Sequence, residues 1–244
     1  MSPTRKDYIL RLIGRCIIFM ICGTVCFIRP EWFAILEGLN FFIRPSLFHL
    51  LWAIWVLDMI LQIIPIKNKV PLGSQKLWAN RFQPIKKKIN YESLRSYIIS
   101  TTKAAYKVFM IWCGLVAVIG VLYYTGIIGK IGLFMITVFF YVCDLICVLI
   151  WCPFRLMMGN RCCTTCRIFN WDHLMMFSPL LFFPSVYCWS LLGLSMAAWL
   201  VWEMGIFLHP ERFWEGANAA LTCASCTDKL CTQYCRKLRP KKDA

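Results

Sequence analysis

The sequence predicts an all-α, polytopic integral membrane protein with five or six membrane segments and a short, cysteine-rich tail at the cytoplasmic face. Of its 244 residues, 59% are hydrophobic and only 16% are charged, whereas soluble domains average about a quarter charged. The apolar residues also come in runs of about 20, the length that crosses the hydrocarbon core of a bilayer. Only helices and closed barrels satisfy the backbone in lipid, so these runs predict helices.

The membrane segments can be placed one after another along the chain. The first run follows a basic N-terminus but lacks a small-residue cleavage site, so we expect it to remain as an anchor. The next three runs are bounded by polar loops, and the short turn between the third and the fourth predicts antiparallel neighbours. The predicted spans cover residues 8–28, 47–66, 108–124, 131–151 and 174–208.

The last of these runs is too long for one upright helix and short for two. Pro179 and Pro184 interrupt its first half, and a proline inside a helix removes a backbone hydrogen bond. We therefore expect a short first piece, bent or re-entrant, and one spanning helix from about Ser185 to Leu208. The chain then divides into a helical membrane domain, residues 1–208, and a basic, cysteine-rich tail, residues 209–244.

The net charge of +15 sets the orientation of the chain and gives it anionic lipid head groups as partners. The N-terminus and the long central loop together carry fourteen Lys or Arg, whereas the loops at residues 29–45 and 124–130 together carry three. We therefore expect a prokaryotic plasma-membrane protein with a cytoplasmic N-terminus. The basic tail favours a return to the cytoplasm and six segments, whereas the length of the last run favours one crossing and five. No segment is long enough for a nucleic-acid recognition fold, so we expect no such partner.

Seven of the fifteen cysteines form two tight groups in polar segments that border the membrane runs. Thiolates are the soft ligands that zinc, copper(I) and iron–sulfur clusters prefer. The second group departs from the usual bacterial ferredoxin pattern in its middle gap of four residues, and zinc accepts such gaps equally well. The candidate metal ligands are Cys162, Cys163, Cys166, Cys223, Cys226, Cys231, Cys235 and the nearby His173.

The same cysteines also fit a thiol–disulfide oxidoreductase. Both groups contain a C-x-x-C pair, a spacing that favours reversible disulfide formation. Such an enzyme would normally hold these pairs on the oxidising side of the membrane, whereas the charge pattern puts the first group on the cytoplasmic side. The remaining eight cysteines lie mostly in apolar spans, where we expect them to pack as small hydrophobic residues.

Three acidic residues, Asp58, Asp144 and Glu203, lie within apolar runs. A charge at such a depth is costly and usually faces a partner or a wet cavity. The acids are therefore candidates for a proton or cation path, or else they form hydrogen bonds between helices. Asp144 is the strongest candidate for a catalytic role because it lies beside Cys143, on the span that leads to the first cysteine group.

These patterns favour an integral membrane metalloprotein that transfers electrons, with a quinone or a redox protein as its partner. The expected cofactor is an iron–sulfur cluster, with zinc as the alternative. A transporter or membrane scaffold with a structural zinc is the second hypothesis, and the thiol–disulfide oxidoreductase is the third. The sequence contains no phosphate-binding loop, dinucleotide-binding turn, zinc-protease helix or nucleophile elbow, so the enzymes that depend on those motifs are not favoured.

Overall fold

A computed structural model describes residues 3–64, 82–85, 89–159 and 166–222 of the chain. Within these ranges every regular element is a helix and none is a strand, which confirms the all-α class. Short 3₁₀ helices cover Pro30–Leu36, Arg167–Trp171, Ser178–Phe182, Pro210–Phe213 and Ala219–Leu221. The α-helices are α1 (Pro3–Ile28), α2 (Asn40–Ile43), α3 (Phe48–Ile63), α4 (Tyr91–Tyr124), α5 (Lys130–Leu149), α6 (Pro153–Met158), α7 (Asp172–Phe177) and α8 (Val186–Leu208).

Four helices, α1, α4, α5 and α8, are long and apolar enough to cross a membrane. Their outer faces carry large apolar side chains, such as Met110, which is 68% exposed, and Phe207, which is 85% exposed. A soluble monomer rarely presents extended apolar surface of this kind. The helix over the second predicted span, α3, is shorter, with 16 residues and a length of about 24 Å.

Helix α4 begins at Tyr91, well before the start expected near residue 108. The side chain of Asn90 caps it by accepting hydrogen bonds from the backbone N–H groups of Glu92 and Ser93. From its charges, this stretch was expected to belong to the long central loop. However, Leu94 and Ala105 are buried, so apolar packing on one face stabilises the helix although its sequence there is largely polar.

The last apolar run is broken at its prolines. Helix α7 passes into the 3₁₀ turn that contains Pro179, and Pro184 separates this turn from α8. The Ser185 side chain caps α8 by accepting a hydrogen bond from the backbone N–H of Cys188, at 3.1 Å. The long apolar helix of this run therefore occupies Val186–Leu208, beside the expected start near Ser185.

A cluster of aromatic rings fills the centre of the helix bundle. Trp55, Phe134, Phe177 and Tyr187 are each fully buried. The ring of Trp55 lies 6.0 Å from that of Phe134 and 5.2 Å from that of Phe177, measured between centroids. Edge-on and tilted contacts at this spacing are favourable for aromatic pairs. The cluster ties α3, α5, α7 and α8 into one core.

Contacts between segments connect the chain at both ends of the bundle. At one end Lys130 Nζ lies 2.9 Å from Glu37 Oε1, and the Val186 N–H donates to the Gly38 carbonyl at 3.3 Å. At the other end, residues 82–85 of the central loop pair with the segment that follows α8. There the Ile85 N–H donates to the Ala217 carbonyl at 3.1 Å.

Candidate functional site

Charged side chains from three helices meet inside the bundle. Arg15 of α1 donates from Nη1 to Asp144 Oδ2 of α5 at 2.6 Å, and its Nη2 lies 3.4 Å from Asp58 Oδ2 of α3. The Arg15 side chain is only 10% exposed, and those of the two aspartates about 20%. Two of the three predicted acids therefore share one arginine.

The Arg15 guanidinium also contacts Tyr141. Besides the two carboxylates, its Nη1 donates to the Tyr141 carbonyl at 2.7 Å, and its guanidinium carbon lies 3.9 Å from the centroid of the Tyr141 ring. A cation over an aromatic face is stabilised by the ring quadrupole. From the sequence, Arg15 counted only toward the basic N-terminus, although it follows Leu12 and Ile13 in an apolar run. The position of Arg15 inside this apolar run was the feature of the sequence that could have indicated a buried partner.

Helix α7 adds a second acid–base pair to the same place. Asp172 Oδ1 lies 3.0 Å from His173 Nδ1 and accepts hydrogen bonds from the His173 N–H at 2.8 Å and from Gln62 Nε2 at 3.2 Å. The other ring nitrogen of His173, Nε2, lies 3.8 Å from Asp58 Oδ2. Asp58 therefore connects the two halves of one charge network, which consists of Arg15, Asp58, Asp144, Asp172 and His173.

His173 was predicted as a metal ligand beside the first cysteine group. In the structure it is buried and both of its ring nitrogens face carboxylates. A metal bound to His173 would have to replace one of these contacts. Asp172, its neighbour in the sequence, is also part of the network.

Acids outnumber bases in this network. Three carboxylates face one arginine and one histidine, so a negative charge remains in excess even when His173 is protonated. An uncompensated charge in apolar surroundings is costly. The arrangement can therefore bind and release a proton or hold a cation.

Glu203, the third predicted acid, belongs to a separate contact set. Its carboxylate forms a two-point ion pair with Arg167, in which Arg167 Nε lies 3.2 Å from Oε1, and it accepts a hydrogen bond from Trp171 Nε1 at 2.9 Å. Arg167 Nη1 also donates to Thr102 Oγ1 at 2.6 Å. Both oxygens of Glu203 are thus engaged, and the set links α4 and α8 to the segment between α6 and α7.

Of the seven cysteines predicted to bind a metal, only Cys166 lies within the described residues, where it is buried. Within those residues no group of three or more His, Cys, Asp or Glu side chains is arranged to hold a metal ion. The other six predicted ligands, Cys162, Cys163, Cys223, Cys226, Cys231 and Cys235, lie outside the described residues.

A cavity of about 300 Å³ lies between the charge network and Cys166. Its walls are formed by α4, α5, α6 and α7 together with the segment around Cys166. Asp144 and Asp172 of the network line it. Six sulfur-containing residues also line it: Cys143, Cys147, Cys152, Cys166, Met175 and Met176. The cavity therefore brings thiols and buried carboxylates to one space.

Comparison of the chain with models of protein families, with curated proteins and with solved structures finds no match.

Proposed function

We propose that this chain is an integral membrane metalloprotein of electron transfer, with an iron–sulfur cluster as the favoured centre. The spacing of the two cysteine groups supports cysteine ligation, and thiolates suit such a centre. The proposed ligands come from Cys162, Cys163, Cys166, Cys223, Cys226, Cys231 and Cys235. The proposed electron partner is a quinone or a redox protein at the membrane.

The observation that supports this proposal most is the cavity shared by Cys166, Asp144 and Asp172. A change of electron count at a cysteine-bound centre changes its charge, and a nearby acid can compensate by taking up or releasing a proton. Asp144 is the proposed proton group, because it lies in the network where carboxylates are in excess. Arg15 would hold this carboxylate in position.

The contacts at the two ends of the bundle support six membrane segments. Glu37, Lys130 and Ser185 lie at one end, and the central loop and the segment after α8 pair at the other. The chain from Arg167 to Phe182 would then cross between the ends, and its helical turns give it a length of roughly 30 Å. With a cytoplasmic N-terminus, both cysteine groups would lie at the cytoplasmic face of a prokaryotic plasma membrane, near anionic head groups.

Anaerobic purification with iron, zinc and acid-labile sulfide analysis tests the metal centre. We expect stoichiometric iron and sulfide with broad visible absorption, and loss of both in Cys166→Ser. Cys113→Ser is the matched control, because Cys113 is exposed on α4. Colourless protein without iron would contradict the proposal.

Two alternatives have specific support. A transporter with a structural zinc is favoured by the buried charge network, since intramembrane acids often mark substrate or ion paths; stoichiometric zinc without colour would support it. A thiol–disulfide oxidoreductase is favoured by the C-x-x-C pair in each of the two cysteine groups. Metal-free protein with a reversible disulfide would support that one.

A further inference from the structure

One wall of the cavity beside the charge network is aromatic. The ring of Trp112 lies 5.0 Å from that of Phe140 and 6.0 Å from that of Phe154, measured between centroids, and all three residues line the cavity. Its volume of about 300 Å³ is at the lower end of the range for small-molecule pockets. The space therefore suits a compact apolar body that contacts aromatic faces.

The charged groups that line this space are two carboxylates. Asp144 Oδ2 accepts from Arg15, and Asp172 Oδ1 accepts from His173 and Gln62. A carboxylate offers about four acceptor positions, so these bonds leave room for a further donor, and among the described residues no Lys, Arg or His lines the cavity. Two acceptor groups are thus available to a molecule that enters it.

The charge balance of the network favours a positively charged ligand. Among the described residues, the bases in direct contact with Asp58, Asp144 and Asp172 are Arg15 and His173. With all three carboxylates ionised, one negative charge is therefore left over when His173 is protonated and two when it is neutral. Arg11, the next base along α1, is paired with Asp7 at 3.0 Å. A cation in the cavity would restore the balance, and aromatic faces add to its attraction.

We propose that this cavity binds a lipophilic organic monocation, of the ammonium class, between the aromatic wall and the carboxylates of Asp144 and Asp172. A small inorganic cation fits less well, because such ions need several oxygen ligands and the cavity offers two carboxylates among apolar walls. This inference does not rest on the metal of the proposed function, although Cys166, one of the proposed metal ligands, also lines the cavity.

The test uses the full-length protein in lipid nanodiscs and two probes of the same shape. Benzyltrimethylammonium carries a charge, whereas neopentylbenzene is its uncharged isostere. Equilibrium dialysis should show saturable binding of the cation at least about tenfold tighter than any saturable binding of the isostere. The cation should also slow the alkylation of Cys143, which lines the cavity, and leave that of the exposed Cys113 unchanged.

Matched variants connect the binding to the proposed groups. Asp172→Asn should weaken binding of the cation at least about tenfold, while Glu203→Gln should leave it unchanged, because Glu203 does not line the cavity. Cys143→Phe fills part of the cavity without changing its charge and should block binding of the cation. This variant keeps the inference testable if Asp172→Asn does not fold.

Equal affinity for the two probes, binding that survives both Asp172→Asn and Cys143→Phe, or the absence of saturable binding would each overturn the inference. Metal content is measured on the same samples. A protein that contains the metal but does not bind the cation would contradict this inference alone. A protein that binds the cation but contains no metal would contradict the proposed metal centre alone.

Discussion

Removal of the Arg15 side chain should be among the most destabilising single changes in the membrane region. Arg15 bonds to Asp144 at 2.6 Å and lies 3.4 Å from Asp58, in surroundings where its own side chain is only 10% exposed. Opposite charges about 4 Å apart attract by about 4 kcal/mol at an effective dielectric constant of about 20. Breaking a buried pair by removing one partner costs about 3–5 kcal/mol, because the other charge stays buried. We therefore expect Arg15→Met to lower the free energy of unfolding by about 3–5 kcal/mol.

The chain supplies a control on the same helix. Arg11 pairs with Asp7 at 3.0 Å, but these side chains are 37% and 38% exposed. An exposed pair contributes at most about 1 kcal/mol, so Arg11→Met should change the free energy of unfolding by no more than that. Reversible unfolding in mixed detergent micelles, followed by circular dichroism, measures both variants.

A double-mutant cycle completes the test. Asp144→Leu alone should destabilise the protein less than Arg15→Met, because Arg15 keeps Asp58 at 3.4 Å and the excess of carboxylates falls. The double variant with Arg15→Met should lose clearly less free energy of unfolding than the sum of the two single changes, because both members of the ion pair are removed together. Additive losses, or an Arg15→Met variant as stable as Arg11→Met, would refute the assignment of a buried charge network.

Three further predictions concern other parts of the molecule. Gly120→Ala should destabilise the protein by about 1–3 kcal/mol, because the added Cβ would overlap the ring of Phe182. Gly114→Ala, where a Cβ meets open space, should be neutral or slightly stabilising, and the same unfolding assay compares the two. A single cysteine placed at Lys242, in a background without the tail cysteines, should react with an impermeant maleimide only after cells are opened; labelling of intact cells would place the tail outside. Cys166→Ser and Cys226→Ser should each lower bound metal, and the double change should add little, because ligands of one site act together; additive losses of metal would indicate two independent sites.

The composition and the apolar runs were sufficient to predict the helical class, because burial in lipid requires long apolar segments and helices satisfy their own backbone. The prolines of the last run also predicted where its helix is interrupted. The structure has its helix break between Phe182 and Val186, beside Pro184. The start of α4 at Tyr91 was missed, because polar residues on a long helix resemble a loop when its buried stripe is narrow.

The charge network shows why the site was predicted only in part. Asp58 and Asp144 stood out as acids in apolar runs, but their shared partner Arg15 was one of several basic residues near the N-terminus. His173 was predicted to join the cysteines as a metal ligand, whereas the short helix α7 places His173 beside Asp58 and Asp172 beside Gln62, both on α3. Pairing across four helices depends on packing, and no spacing within one segment encodes it.

The most direct test of the proposed function is a redox titration of the anaerobically purified protein, followed by electron paramagnetic resonance at several pH values. We predict a cysteine-bound centre that is reduced reversibly, with a midpoint potential that falls by up to about 59 mV per pH unit when one proton accompanies one electron. Asp144→Asn should keep the signal and flatten this dependence, since the amide cannot release a proton. The absence of a reducible centre, or a slope that Asp144→Asn leaves unchanged, would contradict the account.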